Sequence, residues 1–183
     1  MANTAYGKAG LRPFNHLGSS GLFARANTTY LLTAAEDIAP GDPIQLLDAG
    51  TSIECSDAAG GQEDAIGVAD NYVSATATDR RVYWIPFLPG QEWLAQAGAT
   101  TGITADDLGK SADWVIGTQA TKTGLYGTTE GYSATLLGET WGATGNVTAV
   151  RLADGEAFGA NAMVVVTPNE VQFYGAGVGI ADA

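Results

Sequence analysis

The chain has 183 residues, of which 8 are Lys or Arg, 20 are Asp or Glu and one is His, a formal net charge of −12. Only 15% of residues are charged while 45% are hydrophobic, so the chain can build a core and is no disordered acidic tail. A pI near 4.1 argues against nucleic acid, whose phosphates are gripped by Lys and Arg, and a single Cys beside a single His removes disulfide frameworks and the usual Cys- and His-based metal sites.

The charge is unevenly placed. Up to Ala35 the chain holds Lys8, Arg12, Arg25 and His16 but no acid, a charge of +3; the remaining 5 cations and all 20 acids follow Ala35, a charge of −15. Such asymmetry points to parts with different partners. Residues 1–27 read as an extended arm: Gly7, Gly10, Gly18 and Gly21 break any helical period, and Pro13 biases Arg12 toward extended geometry. Tyr6, Leu11, Phe14, Leu17, Leu22 and Phe23 recur sparsely along it, as anchors for a segment lying on a neighbouring surface.

From Thr28 the pattern is β. Thr28–Thr33 is β-branched and aromatic. Ile44–Leu47 and Thr51–Cys55 flank Asp48-Ala49-Gly50 and predict a hairpin, with Cys55 as a half-buried strand residue rather than a nucleophile, since no His or other base is arranged with it. Ile66–Ala69 and Arg81–Ile85 predict further strands, and Gln91–Gln96 alternates polar and apolar groups. Thr104, Asp106, Asp107 and Gly109 describe one short helical turn with an N-cap, first-turn acids and a closing glycine. Ala112–Ile116, Asn146–Leu152, Met163–Thr167 and Glu170–Tyr174 complete the predicted strands. The fold class is therefore all-β: a β-sandwich or barrel of short antiparallel strands spanning 28–183, with at most one short helix and a subdivision near 117 left open.

Chemistry-bearing motifs are missing. His16 lies in the glycine-rich arm, a poor seat for a general base, and there is no nucleophile elbow, P-loop or dinucleotide fingerprint. Asp106-Asp107 and Glu36-Asp37 read as cap and loop acids, since sequence neighbours point in different directions and glycosidases need a facing pair. The acidic loops Asp37–Asp48 and Asp57–Asp70 offer oxygen ligands for calcium without the spacing of a known loop. Four Trp and seven Tyr keep a sugar-stacking surface open beside the core role that aromatics usually play. Asn27-Thr28-Thr29 and Asn146-Val147-Thr148 match the glycosylation pattern, but the N-terminus lacks the apolar stretch of a secretory signal. The densest apolar run, Ala162–Val166, falls far short of the ~20 residues that cross a bilayer. The expectation is a non-enzymatic protein made in a reducing cytoplasm, with no cofactor and neither nucleic acid nor membrane as partner.

In succession, Leu11-Arg12-Pro13, the turn-into-strand Ile38–Ile44, Ala65-Ile66-Gly67-Val68, Glu92–Gln96 and Thr104–Lys110 resemble the capsid cement (head decoration) proteins of tailed bacteriophages. The resemblance runs over about the first two thirds of the chain, and residues from Gly117 onward match nothing in that family. It implies a β domain on the outer surface of the virion that clamps neighbouring subunits of the major capsid protein and stabilises the expanded shell, working as a dimer or trimer. In that role the acid-free arm supplies the expected capsid contacts, Lys8, Arg12 and Arg25 meeting acidic groups and Leu11, Phe14 and Leu17 filling grooves, with His16 beside them. The alternative is a carbohydrate-binding or host-attachment β domain on the virion surface.

Overall fold

The computed structural model describes residues 10–16, 30–32, 37–47, 52–56, 65–75, 77, 80–88, 90–116, 120–123, 129–133 and 135–169. These contain strands β1 (Arg12–His16), β2 (Tyr30–Leu32), β3 (Pro43–Leu46), β4 (Ser52–Cys55), β5 (Gly67–Ala69), β6 (Arg81–Val82), β7 (Trp84–Pro86) and β8 (Gln91–Gln96). They continue with β9 (Ser111–Ala112), β10 (Trp114–Val115), β11 (Ala120–Thr123), β12 (Thr129–Tyr132), β13 (Leu136–Leu137), β14 (Val147–Leu152) and β15 (Met163–Pro168). The fold is all-β. The helical piece among the described residues is the 3-10 turn Ala105–Asp107, where the Thr104 amide and hydroxyl both donate to the Asp107 carboxylate at 2.9 and 2.6 Å. Among the described residues no helix is long and apolar enough to cross a membrane.

The predicted hairpin forms: β3 and β4 run antiparallel with Ile44 opposite Cys55 and Leu46 opposite Ile53. Alternation then puts Ile44, Leu46, Ile53 and Cys55 on one buried face. Around this hairpin the strand order is β6-β2-β4-β3-β5-β7, with β2 parallel to β4. Because β6 and β7 are consecutive parts of one run, the two ends of this sheet adjoin, and it curls into a small, nearly closed barrel. Where the run breaks at Tyr83, the Asn71 side chain completes the ladder: its amide donates to the Arg81 carbonyl at 3.0 Å and its oxygen accepts from the Tyr83 amide at 2.7 Å. Ile38, Ile44, Ile53, Ile66, Val82 and Trp84 fill the barrel.

The second layer is an antiparallel sheet of order β1-β8-β15-β14-β9. Its inner face presents Trp93, Ala95, Val147, Ala149, Val164 and Val166 to Ala65, Val68 and Phe87 of the barrel wall, forming the larger core. Phe87 stands edge-on to Trp93 at 5.1 Å and lies nearly parallel to Trp114 at 6.2 Å. A fully buried ring of this kind contributes about 2–3 kcal/mol. The Trp114 indole also donates to the Ser56 carbonyl at 2.7 Å, tying the sandwich core to the end of β4.

Besides the break at Tyr83, which divides the strand expected over Arg81–Ile85, two details depart from the sequence reading. The expected single strand over Ala112–Ile116 divides at Asp113, with β9 joining β14 and β10 pairing with β13. The Asn146 side chain accepts from the Trp114 amide and the Asp113 carbonyl accepts from Gly138, so the backbone turns from one sheet to the other with its polar groups satisfied. The Thr- and Gly-rich stretch after Gly117 holds a hairpin of β11 and β12 and the short β13. The strand expected over Glu170–Tyr174 lies outside the described residues.

Candidate functional site on the outer face of the five-stranded sheet

Of the residues expected to make contacts, Lys8, Leu17 and Arg25 lie outside the described residues. The others are on or beside β1, the edge strand of the five-stranded sheet. Leu11 is 2% exposed and packs in the larger core. It is held there by backbone: the Gly10 amide donates to the Thr135 carbonyl at 2.8 Å, and the Leu11 amide to the Gly41 carbonyl at 2.9 Å. Gly10 has φ +98°, and a Cβ there would stand 2.7 Å from the Ser133 side chain, so only glycine fits this entry point. The fully buried Asp42 braces the same corner, accepting from the Ala39 amide at 2.8 Å and the Thr135 hydroxyl at 3.1 Å.

β1 then pairs antiparallel with β8, Arg12 opposite Leu94, Pro13 opposite Trp93 and His16 opposite Gln91, with a bulge between Pro13 and Asn15. Trp93 faces the core, so alternation turns Arg12 outward, and the bulge sets Phe14 on the outer surface as well. Arg12, Leu94, Val165 and Arg151 stand in register across β1, β8, β15 and β14. Arg151 reaches across this row. Its guanidinium lies over the Phe14 ring at 5.1 Å from the centroid, and it stands 3.8 Å from the Glu92 carboxylate. Phe14 remains 39% exposed. Pairs this accessible contribute at most about 1 kcal/mol each to folding, so they serve to orient side chains more than to stabilise the sheet.

The remaining candidates resolve into architecture. Cys55 is buried with its sulfur 4.0 Å from the Asp42 carboxylate and the Asp37 carbonyl. Asp37 accepts from the Ala75 amide at 2.8 Å. Asp107 is held below the usual carboxylate range chiefly by the Thr104 hydroxyl. Glu139, which carried no signal in the sequence, accepts from three successive amides, Thr100, Thr101 and Gly102, at 2.9, 2.8 and 2.9 Å. Those bonds, the Thr100 amide first, hold its carboxyl below its ordinary value, and a Cβ on Gly98 would overlap the carboxylate. The carboxyls of Asp107 and Glu139 both move downward, whereas a general acid needs its proton held more tightly.

Among the described residues no three His, Cys, Asp or Glu side chains converge as a metal site. Trp84, Trp93 and Trp114 are buried, and Trp141 is half-buried with its indole donating to the Gly102 carbonyl. Among the described Trp and Tyr, Tyr83 is the exposed ring, so no row of stacking platforms forms there. The Asn146 sequon is buried and serves the turn at Asp113; the Asn27 sequon lies outside the described residues. Sequence reasoning missed Arg151 and Glu92, since only the pairing of distant strands brings them to Phe14. The one local hint is a lone cation in an otherwise uncharged alternating strand, Val147–Leu152. No protein-family model, curated protein or solved structure matches the chain.

Proposed function

We propose that this is a structural, non-enzymatic capsid cement protein of a tailed bacteriophage, binding the outside of the major capsid shell and holding neighbouring capsid subunits together. The observation that carries the reading is how β1 is built in. The acid-free, cationic N-terminal part of the sequence enters the body as a strand of its sheet, with Leu11 in the core and β8 as its ladder partner. A shell that grips residues before or after β1 therefore pulls on a strand anchored along its length rather than on a loose tail. The exposed acids of the remainder repel like-charged neighbours, which limits non-specific clumping. Lys8, Arg12 and Arg25 supply cations for acidic capsid groups, and modest single-site affinity is multiplied when each oligomer grips several sites.

The test must spare β1, because its loss would open the core. Removal of residues 1–9 combined with Arg25→Gln leaves β1 intact. Co-sedimentation with purified expanded heads should then weaken by about tenfold or more, the equivalent of at least 1.4 kcal/mol, and heat protection of the heads should be lost. Unchanged binding and unchanged protection would refute the role given to these segments.

A further inference from the structure

We infer that Arg151, held against the Phe14 ring, is the seat for a carboxylate of the partner, an Asp or Glu side chain of the shell protein. The inference rests on the cement reading and adds to it one residue and the chemistry of its contact. Arg151 comes from the acid-rich part of the chain, outside the cationic segment that supplies the other expected contacts. Its guanidinium is placed but not satisfied. It lies 5.1 Å from the centroid of the Phe14 ring. Its polar neighbours are the Leu152 carbonyl at 3.5 Å and the Glu92 carboxylate at 3.8 Å. A well-made N–H···O bond is about 2.9 Å long, so both neighbours steer the cation without filling its donors.

A planar cation of fixed orientation takes a carboxylate through two parallel hydrogen bonds. The ring keeps water from one side of it, which strengthens the attraction. The Arg151 side chain is 43% exposed, so its open edge is within reach of a second molecule, with the exposed Phe14 ring as apolar contact beside it. Charge selects the occupant. A chain of net charge −12 repels acidic groups as a whole, whereas Arg12 and Arg151 end one cross-strand row of this face. Glu92 is only 8% exposed, so its charge lies beneath the face rather than on it. An acidic group of another molecule is therefore steered to this row.

Co-sedimentation of the full chain with purified expanded heads tests this. Arg151→Gln and Arg151→Lys should each weaken binding by about tenfold or more, the second because an ammonium keeps the charge but lacks the fork. Phe14→Leu keeps an apolar side chain but removes the ring that orients the cation, and should weaken binding too. Lys110→Gln makes the same change in net charge at a cation already paired with Asp107 at 3.0 Å, and should bind like the wild type. Thermal melts establish that each variant is folded; should Arg151→Gln fail beside Glu92, Arg151→Lys and Phe14→Leu still decide the matter. Full binding by Arg151→Gln overturns the inference, and the cement reading stands if removal of residues 1–9 with Arg25→Gln still weakens binding. Heads that take up no wild-type chain overturn both. Full binding by Arg151→Lys or Phe14→Leu, or an equal loss in Lys110→Gln, would reduce the site to bulk charge and overturns the inference. So does Arg151-dependent self-association without heads in sedimentation velocity, which would put a second copy on the site.

Discussion

Leu11→Ala is the most informative single change, because Leu11 decides whether the N-terminal segment belongs to the fold or merely lies on it. The side chain is fully enclosed in the larger core. Removing three carbons forfeits about 2.4 kcal/mol at ~0.8 kcal/mol each. The site collapses poorly, since Gly10, Gly41 and Ser133 are already in close contact beside it, and the residual cavity raises the expected total to about 3–4 kcal/mol. Val115→Ala, at a strand position that faces solvent, serves as the control and should cost under about 0.5 kcal/mol. Denaturant unfolding gives the two values. Hydrogen exchange locates the effect: amides of β8 that pair with β1 should exchange faster in Leu11→Ala, while those of β3 and β4 keep their protection. A cost below about 1 kcal/mol with unchanged exchange in β8 would mean that β1 is not part of the cooperative body.

Two further outcomes follow from the sites already described. The carboxyl of Glu139 is depressed in the folded chain, so its contribution is present above the unfolded carboxylate value of about 4.3 and is lost as pH falls through the lower folded value. Unfolding midpoints measured across this acidic range should therefore fall less steeply in Glu139→Gln than in the wild type, with the Asp107 share of the slope remaining; parallel profiles would contradict the three-amide contact. Trp114→Phe removes the indole donor to Ser56 and part of a fully buried ring. It should cost about 2 kcal/mol from the lost hydrogen bond and the void together, read by chemical denaturation; a cost under about 0.5 kcal/mol would show that neither the indole bond nor the extra ring holds this corner.

What was legible in the sequence was local. The Asp48-Ala49-Gly50 turn between two apolar runs marks the β3–β4 hairpin, and Thr104 with Asp107 and Gly109 marks the 3-10 turn, because both signals act over a few residues. What was not legible depends on chain closure. Nothing near Arg12 announces Leu94 as its partner, and nothing near Leu31 announces a parallel neighbour at Ser52. The break at Tyr83, which lets one run end the barrel on both sides, is invisible until Asn71 is seen completing the ladder. Glu139 looks like any loop acid until its carboxylate is seen holding three amides.

The charge split acquires a structural meaning from these pairings. Arg12 enters the fold by the N-terminal strand, and Arg151 comes from the far end of the acid-rich part; the sheet sets them at two ends of one cross-strand row. With Arg151 stacked on Phe14 and drawn toward the buried Glu92, two of the 8 cations are committed to one face of a strongly acidic molecule. Spread over the surface, they would only reduce repulsion between copies. Gathered beside the exposed Phe14 ring, they make that face a place where a chain of net charge −12 can meet a carboxylate at reduced electrostatic cost. On the proposed cement role the low charged fraction fits the same logic: surfaces that packed against copies and shell subunits would carry fewer ions to desolvate.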